Sequence, residues 1–220
     1  MITIAQRLDK AFLYLTSGEI EFALEQICIA LDVTAKKRYE ANYSSASNYK
    51  KLLSEYSWLI ELIGLPGLDT ETSIFGNYPY LKQGNQEVDK PKLKDLVYEI
   101  VRCNLVHGQG LPENFLISDT HIITFSENFI EFPKSFILGL LSIVIFSSTN
   151  RSETSSSKAT LTICEKNMHL NECWGDEAFM RNVFALHEPI KVDINIQPTK
   201  AYPIMLEFVR QTNFVFSINL

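Results

Sequence analysis

Residues 97–112 read VYEIVRCNLVHGQGLP and form the end of an amphipathic pattern that starts near Pro91 and stops at two glycines. Proline is favoured in the first turn of a helix, and glycine is favoured just after the last turn. The apolar positions that share one face at about 100° per residue are Leu93, Leu96, Val97 and Ile100. The pattern predicts a core-facing helix that begins at Pro91.

Polar residues interrupt this pattern in its last turns. Steps of four and seven residues from Ile100 lead to Asn104 and His107, where an apolar residue is expected. Such local breaks are typical of functional sites. Asn104 and His107 lie on nearly the same face, whereas Arg102 lies about 140° from His107 on an ideal helix. A distorted turn, a long reach of Arg102 or a second subunit is needed to bring these two together.

Purely structural roles also explain these residues. A histidine in the last turn of a helix interacts favourably with the helix dipole. An asparagine can cap a helix, and an arginine can be a solvated surface residue. Apolar and aromatic residues away from the main stripe, namely Tyr98, Val101, Leu105 and Val106, favour a helix buried on a second side, as in a subunit interface.

The remainder of the chain predicts a mainly helical α+β fold. Further helices are predicted over residues 2–17, 19–42, 48–63, 133–147 and 176–186. Two β-hairpins are predicted, one over about 115–125 and one turning at Lys166-Asn167, and strands are predicted at IKVDINI (190–196) and FVFSI (214–218). We therefore expect a helical bundle over 1–147 with a hairpin insertion, and an extension over 148–220 packed on the same domain.

Composition narrows the classes of function. The chain has 220 residues and a net charge of −6, so it is not expected to coat nucleic acid with its whole surface. Its longest apolar run, residues 136–146, is shorter than the roughly 20 residues of a membrane-spanning helix. The N-terminus lacks a secretory pattern. Four cysteines without a CxxC motif favour free thiols and a cytoplasmic location.

The stretch RCNLVHG, residues 102–108, resembles the signature of the HEPN superfamily, in which four to six residues separate an arginine from a histidine. The resemblance is specific over residues 97–112 and extends as a helical pattern over 1–147. Cys103 occupies the position after the arginine that is often asparagine, and Asn104 follows it. Gln109 excludes the form of the motif that carries a tyrosine two residues after the histidine. The resemblance implies a helical bundle with the motif at the end of a late helix.

The resemblance also implies a metal-independent endoribonuclease that acts as a homodimer without a cofactor, in a toxin or defence setting. His107 would act as acid or base, since histidine titrates near neutral pH. Arg102 would stabilise the phosphate as negative charge builds. Asn104 would orient the histidine or hold a phosphate oxygen. RNA supplies its own 2′-hydroxyl nucleophile, and the expected products carry a 2′,3′-cyclic phosphate and a 5′-hydroxyl.

Other residues and partners are secondary expectations. Lys90, Lys92 and Lys94 are candidate RNA contacts, although a lysine run at a helix start is often a solvated face. Cys164 and His169 would face each other across the second hairpin, and two ligands are too few for a zinc site, so no metal is expected. A cognate antitoxin or defence partner is possible for a toxin. The alternative function is a non-catalytic helical module that binds RNA or a partner protein.

Overall fold

The structure is a computed structural model, and it describes residues 2–73, 75, 82–83, 86–87, 90–126, 129–187, 189, 204–207 and 215–219. The fold is mainly helical α+β, as the sequence predicts. None of the helices in the described part of the chain combines the length and the apolar character of a membrane-spanning segment. The prediction for IKVDINI, 190–196, lies outside the described residues.

The first two helices form an antiparallel pair. Helix α1 spans Ile4–Ser17, and Thr3 caps it by accepting the Gln6 backbone N–H at 3.1 Å. The helix ends at Gly18, which adopts a left-handed conformation with φ 78°. Helix α2 spans Ile20–Arg38 and packs along α1. Glycine alone makes this tight reversal without steric cost.

The next helical segments lead to a close contact with a buried helix at the centre of the body. Helix α3 spans Ala46–Glu55, and α4 spans Ser57–Leu59. The chain then continues as a π turn over Ile60–Gly64, which we call π1. The central helix α7, Ser135–Phe146, packs against π1. One uninterrupted helix was predicted over 48–63, but the structure breaks it at Tyr56 and widens its last turn.

The helix that carries the motif runs from Leu93 to Val106 and contains a second π turn. Its parts are α5 (Leu93–Leu96), a π turn over Val97–Arg102 that we call π2, and α6 (Cys103–Val106). The N–H of Cys103 accordingly bonds to the Tyr98 carbonyl, five residues back. We refer to Leu93–Val106 as the motif helix.

The first sheet corrects a predicted pairing. Its strands are β3 (Phe115–Ser118), β4 (Ile122–Ser126), β5 (Phe129–Pro133) and β8 (Ile204–Glu207), in the order β3-β5-β4-β8. The strands of the predicted hairpin at 115–125 exist, but β3 pairs parallel with β5, and β5 separates it from β4. Phe132 of β5 contacts the rings of both Phe115 and Phe125, so this aromatic packing favours β5 in the middle.

The second sheet holds the C-terminal part of the described chain. Its strands are β6 (Thr160–Ile163), β7 (Lys166–His169) and β9 (Phe216–Asn219), in the order β7-β6-β9. The hairpin turns at residues 164–165, two residues earlier than predicted, and pairs Thr160 with His169. Cys164 and His169 therefore do not face each other. Helices α8 (Leu170–Cys173) and α9 (Glu177–His187) follow, and a short ribbon, β1 (Lys82–Gln83) with β2 (Gln86–Glu87), precedes the motif helix.

Buried hydrogen bonds attach this C-terminal part to the helical body. The side-chain amide of Asn150 donates to Thr34 Oγ1 at 2.9 Å and to the Val144 carbonyl at 2.8 Å. The N–H of Gly175 donates to the Ile145 carbonyl at 2.8 Å. Buried hydrogen bonds from amide groups are costly to break, because each broken bond would leave an unsatisfied polar group.

Candidate functional site

The π turn changes which residues of the motif helix face the core. A π turn holds an extra residue, so the buried line passes from Val97 to Val101 and Leu105 instead of Asn104 and His107. Val101 and Leu105 are buried, whereas Asn104 is half-buried and His107 is exposed. The expectation that Asn104 and His107 replace core residues is therefore wrong. They lie off the core face because of the extra residue.

The same shift removes part of the argument for a subunit interface. Val101 and Leu105 belong to the core of this chain, so they offer no second apolar face. Tyr98 and Val106 are half-buried and pack against that core.

Arg102 is held by a carboxylate that the sequence pattern did not reveal. Its Nε and Nη2 both donate to Asp32 Oδ2 of α2, at 3.0 and 2.7 Å. The side chains are 15% and 9% exposed, so the ion pair is largely buried. The guanidinium also lies over the Tyr98 ring, 5.4 Å from its centroid. These contacts fix Arg102 at the edge of the core.

Burial and charge act in opposite directions on this ion pair. Burial raises the pKa of Asp32 above its usual value, while the hydrogen bonds and charge of Arg102 act to lower it. Beneath the pair, Tyr49 and Cys28 are fully buried, and burial raises the pKa of the Cys28 thiol to about 12. Asp32 and Arg102 therefore sit above an uncharged layer and depend on each other for stabilisation.

Asn104 is occupied by a bond within its own helix. Its side-chain nitrogen donates to the Ile100 carbonyl at 2.7 Å. This carbonyl lies in π2, where the regular α-helical bonding is interrupted. The contact assigns Asn104 a local structural role in the structure as it stands.

His107 follows the last residue of the motif helix, and its side chain faces solvent. It lies just after α6 with φ −94° and ψ 7°, and its N–H donates to the Cys103 carbonyl at 3.2 Å. The side chain is exposed and makes no hydrogen bond or ion pair with another described residue. Gly110, with φ 72°, then turns the chain so that the Leu111 N–H approaches Glu21 Oε2 at 3.3 Å.

The three candidate lysines do not act together in this structure. Lys94 donates to Ser54 Oγ at 2.8 Å and lies 3.6 Å from a Glu71 carboxylate oxygen. Lys90 is exposed and Lys92 is half-buried, and within the described chain neither forms an ion pair. Lys50, which was not predicted, binds both Asp95 and Glu99 at 3.0 and 2.9 Å. This face of the helix start is therefore a mixed-charge surface.

One signal in the sequence could have identified Asp32 as a residue that needs a partner. Residues 26–35 read QICIALDVTA, and Asp32 is the charged residue in this otherwise uncharged stretch of a helix. A carboxylate among core residues requires a partner, since burying it alone is costly. The identity of that partner was not readable, because Arg102 lies 70 positions away.

A second polar cluster lies apart from the motif helix. A cleft of about 590 Å³ is lined by Arg38, Tyr39, Lys51, Glu55, Ser148 and Thr149. Arg38 binds Glu55, and Tyr39 donates to the same carboxylate at 2.7 Å. The hydrogen bonds from Arg38 lower the pKa of Glu55. The charged and polar groups of this cleft therefore satisfy one another's hydrogen-bonding capacity.

In the described part of the chain, no group of three or more histidine, cysteine or acidic residues could hold a metal ion.

Fold and site together define a mainly helical α+β protein with an ion-paired arginine and an exposed histidine on one interrupted helix. The family model Rv1289 matches residues 3–200, and the chain belongs to the Rv1289 family. It is similar to the uncharacterized protein Rv1289 of Mycobacterium tuberculosis and to the uncharacterized protein Mb1320 of Mycobacterium bovis. Each is 24% identical over 169 residues, covering 74% of this chain and 79% of the relative. No solved structure matches.

Proposed function

We propose that this chain is a HEPN-like, metal-independent endoribonuclease of a toxin or defence system, with His107 as acid or base and Arg102 as the phosphate-stabilising group. The observation that carries the proposal is the exposed imidazole of His107, five residues after an arginine that an ion pair holds rigid. Fixed positive charge and a histidine are the two groups that cleavage by a 2′-hydroxyl requires.

Arg102 retains donors for a phosphate although Asp32 binds it. A guanidinium has five N–H donors. Asp32 accepts two of them. The remaining donors can bind a phosphate oxygen without breaking the ion pair. Asp32 is thus a positioning residue, because it restricts the orientation of the guanidinium before RNA arrives.

The helix geometry supports the proposed homodimer with shared sites. Arg102 and His107 are separated by a regular α turn, with the His107 N–H bonded to the Cys103 carbonyl, so they diverge by about 140°. One chain cannot easily present both groups to the same phosphate. Two chains can, if Arg102 of one copy and His107 of the other line one cleft.

Specific contacts favour the second candidate, a non-catalytic helical module that binds RNA or a partner protein. Arg102 is bonded to Asp32, and Asn104 is bonded to the Ile100 carbonyl, both within one chain. These contacts give two of the three motif residues a structural role. Under this alternative, His107 is a surface residue, and the protein binds RNA or a partner protein without cutting RNA.

Cleavage of labelled RNA in excess EDTA separates the two candidates. The enzyme proposal predicts metal-free cutting by the wild type and a loss of about 10²–10⁴-fold in His107→Ala, the usual contribution of acid–base catalysis. His121→Ala is the matched control, since His121 is also exposed and lies outside the motif helix. Equal cutting by wild type and His107→Ala would contradict the proposal, and binding of RNA without cutting by any variant would support the module.

Mixing two inactive variants tests the shared site. In a mixed dimer of Arg102→Ala and His107→Ala chains, one cleft receives the intact arginine from one chain and the intact histidine from the other. We expect activity to return on mixing, while each variant alone is inactive. A mixture that forms dimers and stays inactive would contradict a site shared between subunits.

A further inference from the structure

A cysteine and a histidine meet at the end of the second sheet. Cys164 lies in the turn between β6 and β7, and His187 is the last residue of α9. The Cys164 Sγ lies 3.4 Å from His187 Nε2, and both residues are half-buried. This distance is within hydrogen-bonding range for sulfur, so a proton can be shared between the thiol and the imidazole.

Both partners are held by the surrounding structure. The N–H of Cys164 donates to the Val215 carbonyl at 2.7 Å, and its backbone adopts a left-handed conformation with φ 55°. Helix α9 is anchored by the buried side chains of Met180 and Val183. The contact therefore joins two fixed elements that lie 23 residues apart in sequence.

The other three cysteines have different surroundings. Cys28 and Cys173 are buried, and burial raises the pKa of each thiol to about 12. Cys103 is half-buried, and burial raises its pKa although Arg102 opposes this. A thiol is nucleophilic as the thiolate, and a neighbouring imidazole that takes its proton favours that form. Among the four cysteines, all of them described, only the thiol of Cys164 contacts an imidazole. The other three serve as controls for reactivity within the same protein.

We infer that Cys164 is a modification site for hydroperoxides, with His187 as its proton acceptor. His187 takes the thiol proton, and the sulfur attacks one peroxide oxygen. The O–O bond breaks, and its electron pair leaves with the second oxygen, which takes the proton from the imidazolium and departs as water or an alcohol. Sulfur loses two electrons and becomes a sulfenic acid, and the peroxide is reduced. The inference is independent of RNA cleavage.

Residue-resolved labelling of the intact, reduced protein tests the activation. Iodoacetamide is added for increasing times, and mass spectrometry of the digest reports the extent of labelling at each cysteine. We expect Cys164 to react at least about fivefold faster than N-acetylcysteine, because the His187 imidazole beside it can accept the thiol proton. His187→Ala should slow Cys164 by about the same factor and leave Cys103 unchanged, and His121→Ala should change neither.

Hydrogen peroxide followed by a sulfenic-acid trap tests the chemistry. The trap should mark Cys164 in the wild type and not in His187→Ala. Continued protection of Cys28 and Cys173 shows that the variant is folded. Labelling of Cys164 at or below the rate of N-acetylcysteine in the wild type would overturn the inference without any variant. An unchanged rate in a folded His187→Ala protein would overturn the role of the histidine.

Discussion

The two π turns have the same local geometry and different explanations. Turn π1 is wholly buried and lies against α7, where the backbones of Gly64 and Gly139 approach so closely that an added Cβ on Gly139 would lie 3.1 Å from Gly64 Cα. Turn π2 is buried on one side and presents Arg102 on the other. Packing explains the whole of π1 but only the core face of π2. A π turn therefore suggests function only where packing leaves a polar residue unexplained.

The carboxylates beside the two turns sharpen this contrast. Glu61, within π1, accepts bonds from the backbone N–H and the hydroxyl of Thr70, which are neutral donors, at 3.0 and 2.9 Å. Asp32, which faces π2, accepts two bonds from a cation. The first arrangement closes a turn. The second holds a positive charge in place at the edge of the core.

The largest effect on stability is expected where π2 meets α2. Arg102→Ala leaves Asp32 buried without its partner, so the free energy of unfolding should fall by about 3–5 kcal/mol. Denaturant unfolding measures this. Asp119→Asn is the matched control, because the Asp119–Lys134 pair is 84% and 44% exposed and should contribute less than about 1 kcal/mol. Equal losses in the two variants would show that the buried ion pair contributes no more to the free energy of unfolding than an exposed one.

A smaller effect is expected at π1. Gly139→Ala places a methyl group against the backbone of Gly64 and Ile60, which cannot move as a flexible side chain would. The free energy of unfolding should fall by about 1–3 kcal/mol, as overpacking does. Ser17→Ala, at an exposed helical position, should change it by less than about 0.5 kcal/mol. If Gly139→Ala is as stable as the wild type, close packing does not account for π1.

The smallest effect is a dependence on pH. Burial raises the pKa of Asp32, and Arg102 opposes this, so Arg102→Ala should raise the pKa further. A carboxyl with a raised folded pKa contributes stability below its unfolded pKa, and this contribution is lost as pH rises through the folded pKa. The deficit of Arg102→Ala relative to wild type should therefore grow as pH rises above the ordinary aspartate pKa of about 4. Parallel stability curves would show that Asp32 is already solvated.

The sequence predicted local structure well and long-range pairing poorly. The amphipathic patterns and Gly18 were sufficient for α1 and α2, because helices are built from contacts close in sequence. The placement of β5 between β3 and β4 depends on aromatic packing between strands and was not readable. The extra residue of π2 was also missed, because an ideal helical wheel assumes one angle throughout.

The candidate site was predicted in part. Arg102 and His107 were chosen by the motif, and they remain predictions. The reason first given for His107, a break in the core stripe, was wrong because π2 moves that stripe to Val101 and Leu105. Asp32 was missed, since a single acidic residue in a helix does not indicate which distant residue it binds. The family resemblance thus indicated the motif, and the fold showed which residue Arg102 binds.

Analysis of RNA product ends tests the central claim most directly. Wild type and His107→Ala are incubated with end-labelled RNA in excess EDTA, and the new ends are identified by enzymatic treatment and mass spectrometry. Acid–base catalysis at His107 predicts 2′,3′-cyclic phosphate and 5′-hydroxyl ends from the wild type, and almost none from the folded variant. Ends with a 5′-phosphate, or the same products at the same rate from His107→Ala, would contradict it.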